Sequence, residues 1–205
     1  MKKLLTTLAM CCFLCCAPAF AASLQPGPNV SLQTPGDWES VSRDFAILTH
    51  PAVYRLLNAV DAGAPELKQV GWLMKGNTLQ GAYSVSFRQS GMGKALRILQ
   101  EAKGAEREKA ANTFADTFAG VIQAGYDKRG VHVGAITAEI IEAGADMIMV
   151  MDTMLRDESG EFMRSETVFL HGDSMLSISA VHDLKAGQSV AAQLEAIPLS
   201  VQWKN

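Results

Sequence analysis

The stretch LKQVGWLMKGNTLQGAYSVSF, residues 67–87, carries the clearest structural pattern in the chain. Apolar residues or glycine occupy every second position from 70 to 74 and from 79 to 87, which is the period of strands with one buried face. Gly76-Asn77 separates the two runs and suits a two-residue turn with glycine first. The stretch therefore predicts a β-hairpin with its apolar residues on one face. The predicted cross-strand partners are Met74 with Leu79, Trp72 with Gly81, and Val70 with Tyr83.

A second set of apolar runs predicts an antiparallel meander in the C-terminal third, with strands at residues 131–142, 147–155, 162–170 and 175–181. The polar segment 157–160 joins the second and third strands, and Gly172-Asp173 joins the third and fourth. These short connections set the register. They predict the cross-strand pairs Leu155 with Phe162, Arg156 with Glu161, and Phe169 with Leu176.

Helical spacing of apolar residues appears in three other segments. A helix is predicted from Pro51 to Gly63, a helical stretch over residues 91–127, and a short helix over residues 189–196 that Pro198 ends. A strand is predicted at residues 38–48. This order of elements predicts an α/β sandwich, with a mostly antiparallel sheet and helices packed on it. We expect the early and final helices to cover one face of the sheet.

The first 21 residues have the three parts of a secretory signal peptide. Lys2 and Lys3 precede an uncharged apolar stretch, and Ala19-Phe20-Ala21 supplies the small-x-small cleavage pattern. We expect cleavage after Ala21 and a periplasmic or secreted bacterial protein. Cleavage removes all four cysteines, so the remaining chain would have no disulfide. Lipid attachment at one of these cysteines and an uncleaved anchor are the alternatives. The cysteines are Cys11, Cys12, Cys15 and Cys16.

The remainder of the chain predicts a single domain behind a short leader. Residues 22–37 contain Pro26, Pro28 and Pro35 and few apolar side chains, so we expect an extended leader and no packed element. Residues 38–205 are predicted to form one α/β sandwich domain. Cleavage removes two of the 18 basic residues and none of the 21 acidic ones, which leaves a net charge of −5. Neither nucleic acid nor anionic lipid is an expected partner, and no later segment is apolar enough to span a membrane.

A run of methionines is the one candidate metal site in the sequence. Met147, Met149 and Met151 alternate along a predicted strand, and Met154 follows. Thioether sulfurs suit Cu(I), so a copper site in residues 147–154 is one hypothesis. Ile148 and Val150 make the other face of the strand apolar too, which favours a strand buried on both faces. Core packing is the preferred interpretation, and no cofactor is predicted.

The sequence has no motif that dictates a catalytic chemistry. Residues 91–94 (GMGK) resemble a phosphate loop, but Arg88 and Ala95 occupy positions that the motif reserves for glycine and a hydroxyl side chain. Asp152 and Glu166 lie on neighbouring predicted strands and could form an acid–base pair. The predicted register places Asp152 opposite Ser165 and Glu166 on the other face, which favours a structural carboxylate. The histidines lack metal-binding spacing and are predicted at the surface or at strand ends; they are His50, His132, His171 and His182.

The order of elements resembles the PsbP-like group, which includes the exported DcrB-like proteins. Residues 136–197 resemble its strands, its charged turn at 157–160, the sequence FLHGD at 169–173 before the last strand, and its closing helix. Residues 45–51 (FAILTHP) resemble its opening strand and proline-started helix. The resemblance implies an α/β sandwich and a role in partner binding. It implies no catalytic residue.

Three functional hypotheses follow. The preferred one is a non-catalytic accessory or binding protein of the cell envelope, whose partner is an envelope protein or a small ligand. The second is a periplasmic copper-binding protein that uses residues 147–154. The third is an enzyme whose site assembles only in three dimensions.

Overall fold

The computed structural model describes residues 20–41, 53, 56–57, 66–89, 98–99, 101–143 and 146–204. The strands are β1 (Phe20–Gly27), β2 (Val30–Pro35), β3 (Glu39–Val41), β4 (Glu66–Lys75), β5 (Thr78–Arg88), β6 (His132–Ala143), β7 (Asp146–Asp157), β8 (Gly160–His171), β9 (Ser174–Asp183) and β10 (Gln202–Trp203). Helix α1 spans Ala105–Asp127 and helix α2 spans Gln188–Leu199. Val53, Leu56-Leu57 and Ile98-Leu99 are also helical.

The strands form two antiparallel sheets, so the predicted α/β sandwich is confirmed. The main sheet has the order β3-β4-β5-β9-β8-β7-β6, and the small sheet has the order β1-β2-β10. Each strand from β6 to β9 pairs with the next along the chain, because only short turns separate them. The meander therefore has the predicted topology.

The predicted register of the meander is confirmed as well. Leu155 lies opposite Phe162, Arg156 opposite Glu161 and Phe169 opposite Leu176. Asp157 pairs with Gly160, so the tight turn itself is Glu158-Ser159. Because a two-residue turn fixes the register of the two strands it joins, the pairing of β7 with β8 and of β8 with β9 has no register shift.

The hairpin of β4 and β5 forms as predicted, but its register changes partway along. Gly76 adopts φ +61°, and Met74 lies opposite Leu79 as expected. An irregularity between Leu73 and Met74 then shifts the pairing by one residue. The predicted pairs of Trp72 with Gly81 and Val70 with Tyr83 are therefore wrong. The observed pairs are Trp72 with Ala82, Leu73 with Gly81, Gly71 with Tyr83 and Val70 with Ser84.

The shift has a packing reason. The aromatic ring of Tyr83 lies where a Cβ on Gly71 would be, and a Cβ on Gly81 would come within 2.9 Å of the Trp38 ring. The indole that lies across Gly81 is therefore that of Trp38, while Trp72 packs on the other face of the sheet. Each glycine leaves room for one aromatic ring, and the bulge positions Gly71 opposite Tyr83 and Leu73 opposite Gly81.

Residues 22–37 are packed, contrary to the prediction for the leader. They contribute to β1 and β2, whose residues pair from Phe20 with Pro35 to Gly27 with Val30. Val30 and Leu32 are almost fully buried in the same apolar cluster as Trp38. The chain here is extended, but Val30 and Leu32 enter the core, and the half-buried Leu24 packs against it.

Helical residues pack on both faces of the main sheet, so the expectation that the early and final helices share a face is wrong. The closed face is the face that packs against α1 and the helical residues 53, 56 and 57. The opposite face packs against α2 and the small sheet. We call it the groove face, after the apolar groove described in the next section. Within the described residues, no helix combines the length and hydropathy needed to cross a membrane.

Several predictions lie wholly or partly outside the described residues. These are the signal peptide up to residue 19, the strand beyond Val41, most of the helix predicted from Pro51, the GMGK segment and His50. In the last helix, Val190, Leu194 and Ile197 are buried. Pro198 lies inside the final turn, and the helix ends at Leu199, three residues later than predicted.

Candidate functional site

The groove face contains an apolar groove between α2 and the strands β7, β8 and β9. The space has a volume of about 560 Å³, within the usual range for ligand sites. Helix α2 packs over β9 and β5 and leaves the part of the sheet beyond it uncovered. The apolar lining residues are Ile141, Ile148, Val150, Met163, Phe169, Ile178, Ala180, Ala191, Leu194, Pro198 and Leu199.

Two of these apolar side chains are open to solvent at the edges of the groove. Leu199, in the last turn of α2, is 83% exposed, and Ile141 of β6 is 42% exposed. Contiguous exposed apolar surface on a folded protein marks places where other molecules bind. The groove is therefore the candidate functional site.

The charged residues that line the groove are acidic. Asp152 of β7 and Glu195 of α2 contribute carboxylates, and His182 of β9 contributes an imidazole. Burial lowers the pKa of His182 below its ordinary value of 6.5, although the nearby carboxylates of Glu195 and Asp183 oppose this change. The imidazole is therefore neutral at pH 7. Together these groups give the groove a negative character.

The closed face contains a buried polar cluster with different properties. Arg164 donates to an oxygen of Glu166 at 2.5 Å, and the hydroxyls of Ser177 and Ser179 also donate to this carboxylate. The Arg164 guanidinium lies 6.0 Å from the centre of the Tyr126 ring. Burial alone would lower the pKa of Arg164, but Tyr126 and Glu166 raise it overall, so the guanidinium is charged. This cluster is enclosed and holds β8, β9 and α1 together.

The hypothesis of an Asp152–Glu166 acid–base pair fails on geometry. Asp152 lies opposite Ser165 on the groove face and is exposed, as the register predicted. Glu166 lies opposite Met151 on the closed face, where its hydrogen bonds are internal. The two carboxylates are on opposite sides of the sheet.

The candidate methionines also lie on opposite faces of the sheet. Met147, Met149 and Met151 are 2–4% exposed and pack on the closed face with Val168 and Leu170. Met154 lies on the groove face and is 44% exposed. The interpretation of these methionines as core residues therefore fits three of them, and Met154 is not a core residue.

The histidines that the structure describes do not converge. His132 is exposed on β6, and His171 stacks on Trp203 with ring centres 4.5 Å apart. His182 alone of these three lines the groove. Across the described part of the chain, no group of three or more His, Cys, Asp or Glu side chains could hold a metal ion. Sequence reasoning missed the groove because its lining comes from β6, β7, β8, β9 and α2 together.

Comparison with known proteins gives similarity in structure and none in sequence. No protein-family model matches the chain, and no curated protein matches it. The structure is similar to that of the cyanobacterial PsbP (CyanoP) from Synechocystis sp. PCC 6803, with a TM-score of 0.56 and 12% identity over 92% of this chain and 96% of that one. A structure from Bacteroides thetaiotaomicron VPI-5482 matches with a TM-score of 0.46 and 10% identity over 88% of this chain and 47% of that one. The resemblance to DcrB-like proteins stays a prediction. The chain has a PsbP-like fold.

Proposed function

We propose that the protein is an exported, non-catalytic accessory protein of the bacterial cell envelope that binds a partner protein in the groove. The observation that carries this proposal is the uncovered apolar sheet surface beside α2, with Leu199 and Ile141 exposed at its edges. The PsbP-like fold supports an accessory role, and the leader pattern of residues 1–21 supports export.

The lining residues indicate what kind of partner segment would fit. Asp152 and Glu195 are the acidic groups of the groove, and His182 adds no positive charge at pH 7. Electrostatic complementarity therefore favours a segment that places apolar side chains in the groove and a Lys or Arg beside the carboxylates. Ser165 and Thr167 offer hydroxyls for hydrogen bonds at the base of the groove.

Site-specific photo-crosslinking in the native cell tests this proposal. A photoreactive amino acid at Leu199 or Ile141 should give the same adduct, and one at Val121 of α1 should not. Val121 is 45% exposed, comparable to Ile141, but belongs to the helix on the closed face. Mass spectrometry should identify the crosslinked peptide as apolar with a basic residue.

Charge reversal makes the test specific. The double variant Asp152→Lys/Glu195→Lys should abolish the adduct at Leu199 while the protein stays folded. Equal crosslinking at Val121, or an adduct that survives the charge reversal, would contradict the proposal. Intact mass of the protein from the cell envelope tests export separately. A mass that retains residues 1–21, or that includes acyl chains, would contradict cleavage after Ala21.

A further inference from the structure

Three potential ligands for a soft metal ion form a row across the groove face. Met154 of β7 lies opposite Met163 of β8, and Met163 lies opposite His182 of β9. Directly opposite residues in an antiparallel sheet project to the same face with Cβ atoms about 4.5–5.5 Å apart. Two thioethers and one imidazole are therefore neighbours, although they are 9 to 28 positions apart in the sequence.

The row is accessible from solvent. Met154 is 44% exposed, and Met163 and His182 are half-buried at the groove. On the β6 side the neighbour of Met154 is Gly134, where a Cβ would lie 3.4 Å from the Cβ of Met154. Because glycine has no side chain, this position leaves the thioether uncovered.

The chemical state of the three side chains suits metal binding. The neutral imidazole of a histidine offers a metal ion a ring nitrogen with a free lone pair. A thioether carries no proton to displace. The carboxylate of Glu195 lies near His182 and favours a positive charge there.

We propose that Met154, Met163 and His182 form a binding site for Cu(I). Thioethers select soft cations such as Cu(I), and imidazole is a good copper ligand. Met163 is the central residue, since it is the direct neighbour of both others. The inference does not rest on the proposed partner binding, although Met163 and His182 also line the groove. It differs from a copper site within residues 147–154, because Met147, Met149 and Met151 are enclosed on the closed face.

A competition titration tests the site. The four leader cysteines would bind Cu(I) through thiolates, so the background is the full chain with Cys11, Cys12, Cys15 and Cys16 replaced by serine. Under anaerobic conditions this protein should take one Cu(I) from a chromophoric chelator. Met163→Leu and His182→Gln should each weaken binding at least about tenfold, the effect usually seen when even outer-shell partners are lost. Met149→Leu is the matched control, and it should bind Cu(I) like the background protein.

Methionine-methyl NMR provides a second, residue-specific measurement. With Ag(I) as a redox-inert substitute for Cu(I), the methyl signals of Met154 and Met163 should shift at one equivalent, while those of Met149 and Met151 should not. Met154→Leu keeps the test usable if another variant does not fold, because its exposed position makes unfolding unexpected. The proposal is overturned if the background protein takes no Cu(I), if the groove-face variants bind undiminished, or if the closed-face methyls shift instead.

Discussion

The two faces of the main sheet differ in which side chains they bury and which they expose. The closed face encloses an ion pair, Arg164 with Glu166, at 3% and 8% side-chain exposure. The groove face leaves apolar side chains such as Leu199 and Ile141 in contact with solvent. A buried ion pair is compatible with a stable fold only when both charged partners are present. Exposed apolar surface, in contrast, is typical of sites where another molecule binds. The closed face therefore contributes to stability, and the groove face is where we propose that a partner binds.

Breaking the ion pair of the closed face should have the largest effect. Glu166→Ala leaves the Arg164 charge buried without a carboxylate, and should lower the free energy of unfolding by about 3–5 kcal/mol. Urea denaturation measures this loss. The double variant Arg164→Met/Glu166→Leu should recover most of it, because no buried charge remains.

The groove face supplies the matched control. Arg156 and Glu161 form an ion pair there with 64% and 45% side-chain exposure. Arg156→Ala should cost less than about 1 kcal/mol, because solvent screens both charges. Similar losses for the two pairs would remove the distinction between the faces.

The methionines of β7 probe the same distinction within one strand. Met149→Ala on the closed face should cost about 2–5 kcal/mol through lost packing and a cavity. Met149→Leu keeps the volume and should cost less than about 1.5 kcal/mol. Met154→Ala on the groove face should change the free energy of unfolding by no more than about 0.5 kcal/mol. A large loss at Met154 would show that this part of the groove face is core.

A substitution at Gly71, the glycine that accommodates the Tyr83 ring, tests the packing of the covered part of the groove face. Gly71→Ala places a methyl group against the buried ring and should cost about 1–3 kcal/mol. In a double-mutant cycle with Tyr83→Leu, the double variant should lose less stability than the sum of the two single losses, since the smaller side chain relieves the overlap. Gly120→Ala in α1 is the control: a Cβ there meets nothing within 4 Å, so the change should stabilise the protein by about 0.4–1 kcal/mol.

The smallest predicted effect is a pH dependence that originates at His182. Its pKa in the folded protein is lower than the 6.5 of the unfolded chain. Around and below pH 6.5 the unfolded state therefore binds more protons, and stability is lost as the pH falls. Glu195 and Asp183 limit this effect because they favour the charged imidazole. Urea denaturation across this pH range should give His182→Gln a shallower pH dependence than the wild type, and identical curves would contradict the assignment.

The register was predicted correctly where short turns join strands without a bulge, and the prediction failed in β4–β5, where a bulge follows the short turn. The pairs Leu155 with Phe162 and Phe169 with Leu176 followed from turn length alone. The β4–β5 pairing shifts between Leu73 and Met74. The sequence did not reveal this shift, because the alternation of residue types continues unchanged through the bulge. The error for residues 22–37 has a related cause. Two buried aliphatic residues, Val30 and Leu32, are too few to produce a recognisable period, yet they are enough to hold β2 in the core.

The sequence by itself determined the strands of the meander, the hairpin turn at Gly76-Asn77 and the sandwich class, because alternation and turn chemistry act over a few residues. Only the tertiary structure decided which face each helix covers, which indole lies across Gly81, and that Met154 is exposed while the other methionines of β7 are buried. These features depend on side chains brought together from distant positions. These side chains come together only when α2 and the strands pack, so no local sequence pattern predicts their positions.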